Sequence, residues 1–242
     1  MQGLRQVRGI ALVTGAVLLA QAVLLAIVGG AVALPFVLDL RGASGGPRRV
    51  ELGDVNGVHA VAVALALAGL ARLALLLPRV RAGFDRALAA GRHDLRWVEW
   101  ALAWPIVTVV VALLNGVSDA GAVILVYAMT AGWPLLHLLQ ERLTMRSGDP
   151  RLALVLGSAI GVVPWGMIAV HQIGAGLAGD PPSGYVRVVT LAVLGVAFAV
   201  FVLGLREQHP RRPLDAVRGE RMYWVGEAVA LSLFAWSLVL LG

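Results

Sequence analysis

The sequence contains no cysteine and no lysine, and all 20 of its basic residues are arginine. The absence of cysteine excludes disulfide bonds, a thiol nucleophile and thiolate metal sites. The absence of lysine excludes a Schiff base between a side-chain amine and a carbonyl ligand. Charged residues of either sign are also scarce, at 14% of the chain. The few that interrupt apolar stretches therefore need a physical explanation.

Apolar side chains dominate the composition. Of the 242 residues, 59% are hydrophobic, and the mean hydropathy of +0.84 is too high for a soluble domain of this size. The composition indicates a multi-pass protein of the cell membrane, in contact with the lipid bilayer. The net charge of +6 comes from arginines in short loops, without the aromatic-interleaved basic face that nucleic-acid binding requires.

Seven apolar segments are each long enough to cross a bilayer as a helix. We find no internal repeat, no low-complexity tract and no separate soluble domain. Residues 1–242 are therefore predicted to form a single all-α domain, a bundle of seven transmembrane helices. The predicted helices are Ile10–Leu38, Gly57–Leu77, Arg96–Leu114, Gly121–Leu139, Leu152–Leu177, Tyr185–Leu205 and Arg221–Leu241.

The positions of the arginines predict how the chain is oriented in the membrane. Most of them lie before the first segment and in the loops after segments 2, 4 and 6. The opposite side carries only Arg41, Arg48, Arg49 and Arg187. By the positive-inside rule, the N-terminus is cytoplasmic and the C-terminus lies outside.

The longest loop on the outer side, Asp39–Asn56, contains a run of Gly, Ser and Pro followed by alternating polar and apolar residues. This pattern is compatible with a short β-hairpin over the extracellular mouth of the bundle. A plain solvated loop is the alternative.

Three ionisable residues lie inside the apolar segments, namely Arg72 in the second, Glu99 in the third and Glu227 in the seventh. At 1.5 Å per residue, all three fall within about 10 Å of the cytoplasmic boundary. Because an isolated charge at that depth is costly, we predict that Glu99, Arg72 and Glu227 form one buried cluster. The alternative is that Arg72 and Glu227 snorkel to the inner headgroups.

The remaining polar residues do not predict a metal site or an enzyme. His137 and His171 lie near opposite ends of their helices, so we expect hydrogen-bonded packing residues rather than a haem site. Neither has the set of neighbouring His, Asp or Glu ligands that a metal centre needs. No Ser or Asp shows a nucleophile–base arrangement. Ion transport is also disfavoured, because the outer halves of the third and seventh segments are apolar.

Tryptophans are concentrated in the segments that carry the buried carboxylates. Trp97, Trp100 and Trp104 follow a three-to-four spacing on the third segment, and Trp165 lies on the fifth. Such residues usually belong to an interfacial belt or to helix packing. An apolar ligand slot lined by some of them is the other interpretation.

Short motifs in three segments identify a resemblance to a known family. The third segment has an Arg-Trp-x-Glu-aromatic motif, and the fifth has Gly-Ser followed by Pro-Trp. The seventh opens with Gly-Glu-Arg-x-Tyr and closes with Ala-Leu-Ser-Leu-x-Ala-Trp. The motifs occupy residues 96–100, 157–158 with 164–165, 219–223 and 230–236. They resemble those of heliorhodopsins, relatives of the microbial rhodopsins with inverted topology, and the resemblance covers nearly the whole chain.

The departures from the family pattern bear directly on function. The resemblance implies that the retinal-binding lysine falls on Leu231, which cannot form a Schiff base, whereas the helix-3 counterion falls on Glu99 and is retained. The family's helix-2 histidine falls on Arg72, and its helix-1 histidine near Gly15. Glu227 stands where the family usually has a small polar residue. The slow retinal photocycle of the family therefore does not carry over.

Two functions remain open from the sequence. The first is a non-photochemical regulatory or scaffold protein that acts through a membrane or cytoplasmic protein partner. The second is a receptor that binds retinal, a carotenoid or another apolar ligand without a covalent bond, in a slot between the third, fifth and seventh segments. The expected slot residues are Trp100, Trp104, Trp165 and Ser232.

A small-residue pattern on the fifth segment is relevant to assembly. Gly157 and Gly161 lie four residues apart, a spacing that lets two helix backbones approach closely. Packing inside the bundle explains this pattern as well as a dimer does. Because the resemblance implies a dimer that pairs along the fourth and fifth helices, we expect a homodimer.

Overall fold

The computed structural model describes residues 2–41, 45–144, 152–207 and 215–241. Two antiparallel strands, β1 (Ala33–Arg41) and β2 (Pro47–Asn56), lie between the first two helices. The helices are α1 (Gln2–Val28), α2 (Gly57–Leu73), α3 (Pro78–Ala89), α4 (Asp94–Leu114), α5 (Ala120–Thr144), α6 (Leu152–Leu177), α7 (Gly184–Glu207) and α8 (Ala216–Val239). All except α3 are long and apolar enough to span a membrane, which confirms the predicted seven-helix bundle.

Helix α4 forms the centre of the bundle. Of its apolar stretch, 72% is buried inside the protein, compared with 11% for α6. Helix α4 packs mainly against α5 and α2, and α1 packs against α2 and α8. The interior is therefore built around the helix that carries Glu99, whereas α6 mostly faces the membrane.

Glycines allow an unusually close approach between α1 and α2. A Cβ atom added to Gly69 would lie 2.8 Å from the carbonyl oxygen of Gly15. One added to Gly15 would lie 2.9 Å from the Cβ atom of Arg72. Small residues on both helices thus bring the backbones together and leave space beside the Arg72 side chain.

The predicted first helix, Ile10–Leu38, is wrong at both ends. Helix α1 begins at Gln2 and ends at Val28, and the apolar residues from Ala33 onward form β1. A side chain at Gly29 would overlap the Leu25 carbonyl oxygen and the Val58 side chain, so only glycine fits where the chain leaves the helix. Pro35 further along cannot donate an intrahelical hydrogen bond.

The segment between α1 and α2 is a β-hairpin, which confirms that alternative, although the hairpin begins at Ala33, before the predicted loop Asp39–Asn56. Strand β1 pairs with β2 from Ala33–Asn56 to Arg41–Pro47, with an irregularity after Phe36. Arg49 donates two hydrogen bonds to Asp39, at 2.8 and 3.0 Å. The amide of Val37 bonds the Ser118 carbonyl oxygen at 3.0 Å. The hairpin is therefore attached to the turn between α4 and α5.

Helix α3 was not predicted, because its sequence is too polar to register as an apolar segment. Pro78 stands at its first position, where its fixed φ suits a helix start, and Phe84, Ala87 and Leu88 are its buried residues. A salt bridge of 3.0 Å between Asp85 and Arg8 joins it to α1.

The other helix ends lie within about five residues of the predicted ones. The membrane orientation stays a prediction, and four arginines that support it, Arg146, Arg151, Arg211 and Arg212, lie outside the described residues.

Candidate functional site

Arg72 lies at the centre of a buried polar cluster between α2, α4 and α8. Its side chain is fully buried. The Nε atom donates to Glu99 Oε1 at 3.0 Å, and Nη2 donates to Glu227 Oε2 at 2.7 Å. The Nη1 atom donates to Thr14 Oγ1 and to the carbonyl oxygen of Trp224, both at 3.0 Å. The guanidinium is thus directed into the bundle, and snorkelling does not describe its position.

The Arg72 cluster contains two carboxylates but one guanidinium group. Both carboxylates are inside the protein, with 0 and 1% of their side chains exposed. One of the second oxygens, Glu99 Oε2, accepts no hydrogen bond from the described residues. Because a buried carboxylate must be either paired or protonated, this arrangement favours a further cation or a proton beside Glu99 and Glu227.

A second buried cluster surrounds Arg96, one turn before Glu99 on α4. The Arg96 guanidinium donates two hydrogen bonds to Glu207, at 3.1 and 2.7 Å, and lies 3.3 Å from Glu220. It also stacks on two rings, with its Cζ atom 3.6 Å from the Tyr223 ring centroid and 4.4 Å from that of Trp97. These contacts tie the C-terminal end of α7 and the first turns of α8 to the start of α4.

His93 and Glu141 extend this second cluster towards α5. Glu141 accepts hydrogen bonds from the backbone amide of His93 at 2.7 Å and from the Trp97 indole at 2.8 Å. The His93 Nδ1 atom lies 2.9 Å from the same carboxylate. Burial disfavours the charged form of His93, and so does the positive charge of Arg96. The surrounding carboxylates outweigh both effects, so the pKa of His93 is raised above its ordinary value.

Three donor groups of this cluster are spaced as metal ligands are. Ligand atoms of His93, Glu141 and Glu207 lie within 4.8 Å of one another, a grouping that the sequence analysis did not anticipate. The Arg96 guanidinium already provides a cation among them, at 2.7 Å from Glu207 and 3.8 Å from Glu141. The arrangement is therefore that of an ion-pair cluster rather than of an open metal centre.

Sequence reasoning missed this second cluster, although two spacings point to it. Arg96 precedes Glu99 by three residues, and Glu220 precedes Glu227 by seven, so each pair shares one face of its helix. A cluster at Glu99 and Glu227 thus implies a neighbouring one at Arg96 and Glu220. Glu207 ends its helix and has no comparable signal.

His137 and His171 both lie within helices, as expected, but only one forms a hydrogen bond. The Nδ1 atom of His171 lies 3.0 Å from the Met167 carbonyl oxygen. Neither ring nitrogen of His137 has a partner among the described residues. The His137 ring packs against Trp97 and Trp133, with centroid distances of 4.6 and 5.3 Å. The expectation of a hydrogen bond at His137 is wrong, because aromatic rings surround it.

An apolar cavity of about 210 Å³ lies among α4, α5, α6 and α7. Trp104, Trp133 and Trp165 line it, and so do two phenylalanines of α7, Phe198 and Phe201. Two polar atoms of lining residues, Thr130 Oγ1 and Trp133 Nε1, form no hydrogen bond with the described residues. The cavity can therefore hold an apolar group.

Only part of the predicted ligand slot lies at this cavity. Trp104 and Trp165 line it. Trp100 does not, since its ring stacks on Trp104 with a centroid distance of 4.7 Å and is covered by it. Ser232 does not either, because its hydroxyl accepts a hydrogen bond of 3.0 Å from Gln21 on α1. The position of Leu231 is fully buried on α8 and also lies outside the lining.

The two glycines assigned to helix packing or a dimer face the inside of the chain. A Cβ atom added to Gly157 would lie 3.1 Å from the Cβ atom of Leu136, and one added to Gly161 would lie 3.2 Å from Cγ of Trp133. Both neighbours belong to α5. The intramolecular alternative therefore describes these glycines, and they provide no surface for a partner subunit.

Comparison with known proteins bears on the whole bundle. The family model described as Heliorhodopsin matches residues 7–242, nearly the entire chain. The chain belongs to the heliorhodopsin family. Among curated proteins, no match is found. The resemblance of the motifs in α4, α6 and α8 is thus confirmed for the family as a whole, and the protein is a multi-pass membrane protein with a rhodopsin-like bundle.

The ion pairs of Arg72 generate a prediction for stability. Arg72→Leu leaves two buried carboxylates without their cation, and losing one member of a buried pair costs about 3–5 kcal/mol. We expect a strong decrease in the thermal unfolding temperature of the purified heliorhodopsin-family protein at pH 7. Adding Glu99→Gln should restore part of the loss, and adding Glu227→Gln as well should restore most of it.

Arg79→Leu is the matched control for that series, because Arg79 is an exposed arginine on α3 and should change the unfolding temperature little. Equal unfolding temperatures for the wild type, Arg72→Leu and the triple variant would show that the buried pairs contribute nothing to stability.

The raised pKa of His93 predicts a pH dependence. A group whose pKa is higher in the folded state stabilises that state fully at a pH below its unfolded-state pKa, which is about 6.5 for histidine. This stabilisation is lost as the pH rises through the folded-state pKa. We expect wild-type unfolding temperature to fall above about pH 6.5, and His93→Gln to weaken this dependence. The exposed His59 provides the control, and His59→Gln should retain the wild-type profile. Parallel profiles for all three proteins would contradict the prediction.

Proposed function

We propose that this heliorhodopsin-family protein acts without covalently bound retinal, as a non-photochemical and non-enzymatic regulatory or scaffold protein. The observation that carries the proposal is the position of Arg72, whose guanidinium pairs with both Glu99 and Glu227. Leu231, at the position that the motif resemblance assigns to the retinal-binding lysine, is fully buried. The counterion-like carboxylate thus has a cation from the protein itself.

The carboxylate surplus of the Arg72 cluster bears on what a lysine at position 231 would do. A protonated Schiff base at position 231 would be a cation one helical turn from Glu227. Together with Arg72, it would balance Glu99 and Glu227. The polar interior is therefore compatible with a chromophore linkage that the present side chain at 231 does not allow.

The experiment is a spectrum of purified wild-type protein and of Leu231→Lys, each recorded before and after all-trans retinal is added. We expect no visible band for the wild type as isolated, and a visible pigment for Leu231→Lys with retinal. Leu231→Met, a volume-conserving change without an amine, is the matched control and should form no pigment. A strong visible band in wild-type protein as isolated would contradict the proposal.

A receptor for a non-covalent apolar ligand is the second candidate function. The apolar cavity supports it, because three tryptophans line a space of about 210 Å³. Its volume is below the roughly 300 Å³ at which ligand pockets begin. The cavity therefore suits one end of a retinoid or carotenoid, with the remainder extending towards the membrane.

Retention of retinal by the wild type tests this second candidate. We expect retinal to remain with the wild-type protein through gel filtration and to quench its tryptophan fluorescence. Ala197→Phe should abolish both effects, because Ala197 lines the cavity. The exposed lipid-facing Gly195, which has no neighbour within 4 Å, allows Gly195→Ala as a control. Absence of retention and quenching in the wild type would rule out a retinal receptor.

A further inference from the structure

Helices α6 and α7 leave a groove between them that faces the membrane. Helix α6 packs against α5, and α7 packs against α8, but α6 and α7 share few close backbone contacts in the described part of the chain. The side chains that border the gap are strongly exposed, with 65% for Val162 on α6 and 64% for Phe198 on α7. Both residues also line the apolar cavity, so the cavity is the inner end of this groove.

The groove continues from the cavity towards the end of the bundle predicted to lie outside. On α6, Val162, Trp165 and Ile173 share one helix face, because their spacings are close to whole turns. On α7, Arg187, Leu194 and Phe198 share one face for the same reason. The two faces border the same gap and meet a second, open cavity of about 340 Å³ at the outer end.

The outer cavity is where the groove becomes polar. Gln172 and Arg187 line it, together with apolar residues near the end of α6. Gln172 is held in place by a hydrogen bond of 2.6 Å to Asn115, the residue that follows α4. Arg187 is exposed and forms no salt bridge with the described residues. A positive charge is thus available at the predicted headgroup level, directly beyond an apolar groove.

We propose that the α6–α7 groove binds one anionic phospholipid, with the phosphate at Arg187 and one acyl chain along the groove. Ten residues separate Gln172 from Val162, which is about 15 Å of helix. That length matches one leaflet, half of a hydrocarbon core about 30 Å thick. The acyl chain ends in the cavity beside Trp104 and Trp165, where aromatic rings surround it.

The inner end of the groove is also the cavity of the proposed receptor. The lipid proposal therefore rests on that second candidate function and names a phospholipid as the class of its ligand. A phospholipid fits the groove better than retinal does, because its phosphate can pair with Arg187, whereas retinal carries no charge. The two occupants compete for the same inner cavity.

Native mass spectrometry of protein released from nanodiscs tests the proposal. The nanodiscs contain equal amounts of phosphatidylglycerol and phosphatidylcholine. We expect wild-type protein to retain one phosphatidylglycerol. Arg187→Gln should reduce its retention about fivefold, the effect of one basic residue near an anionic membrane surface. Arg48→Gln, which removes an exposed arginine of the hairpin on the same side, should leave retention unchanged.

Ala197→Phe fills the inner end of the groove and tests the acyl chain separately. We expect it to expel the lipid while Arg187 is intact. Wild-type protein without bound lipid, or equal retention in the wild type, Arg187→Gln and Ala197→Phe, would overturn the proposal. Cross-linked dimers that Ala197→Phe abolishes would also overturn it, since a second copy would then occupy the groove. If retinal fails to bind while phosphatidylglycerol is retained, the retinal receptor falls and the lipid site stands.

Discussion

The buried ion pairs of Arg72 are the constraint on which the rest of the interior depends. One guanidinium on α2 bonds a carboxylate on α4 and another on α8, and it also bonds the Thr14 hydroxyl on α1. Removing a partner from such a set leaves an uncompensated charge in low dielectric. The depth and the rotation of four helices are therefore fixed relative to one another. The glycines of α1 and α2 make this arrangement possible, because they leave space beside the arginine.

The two buried clusters form consecutive layers along the same helices. Helix α4 contributes Arg96 to one layer and Glu99 to the next, and α8 contributes Glu220 and Glu227 in the same order. Each layer has an arginine at its centre and an excess of carboxylates around it. Rotation of α4 or α8 would break bonds in both layers at once. The polar interior therefore specifies how these helices pack, in addition to any role in chemistry.

The sequence predicted those features for which position along a helix is sufficient. Arg72, Glu99 and Glu227 stood out against an apolar background, and the helical rise put them at similar depth. The prediction failed where the rotation of a helix about its axis decides which side chains line a cavity. It also failed where the shape of the backbone decides whether an apolar segment is a helix or a strand. Trp100 and Trp104 are four residues apart, yet only Trp104 lines the cavity. Apolar residues after Val28 form a strand, and hydropathy alone does not distinguish a short apolar strand from a helix.

The bundle consists of a part held by buried charges and a part, α6, held mainly by apolar contacts. Helices α1, α2, α4 and α8 are joined by the bonds of Arg72, whereas α6 is the least buried span and leaves a gap to α7. Regions with few buried contacts open at a lower free energy than the rest of a protein. Among the described residues, α6 contributes no side chain to either charge cluster. An occupant of the gap would therefore change the position of α6 relative to α7 without breaking those clusters. A regulatory protein built on this fold would sense the membrane through α6 while the other helices keep their packing.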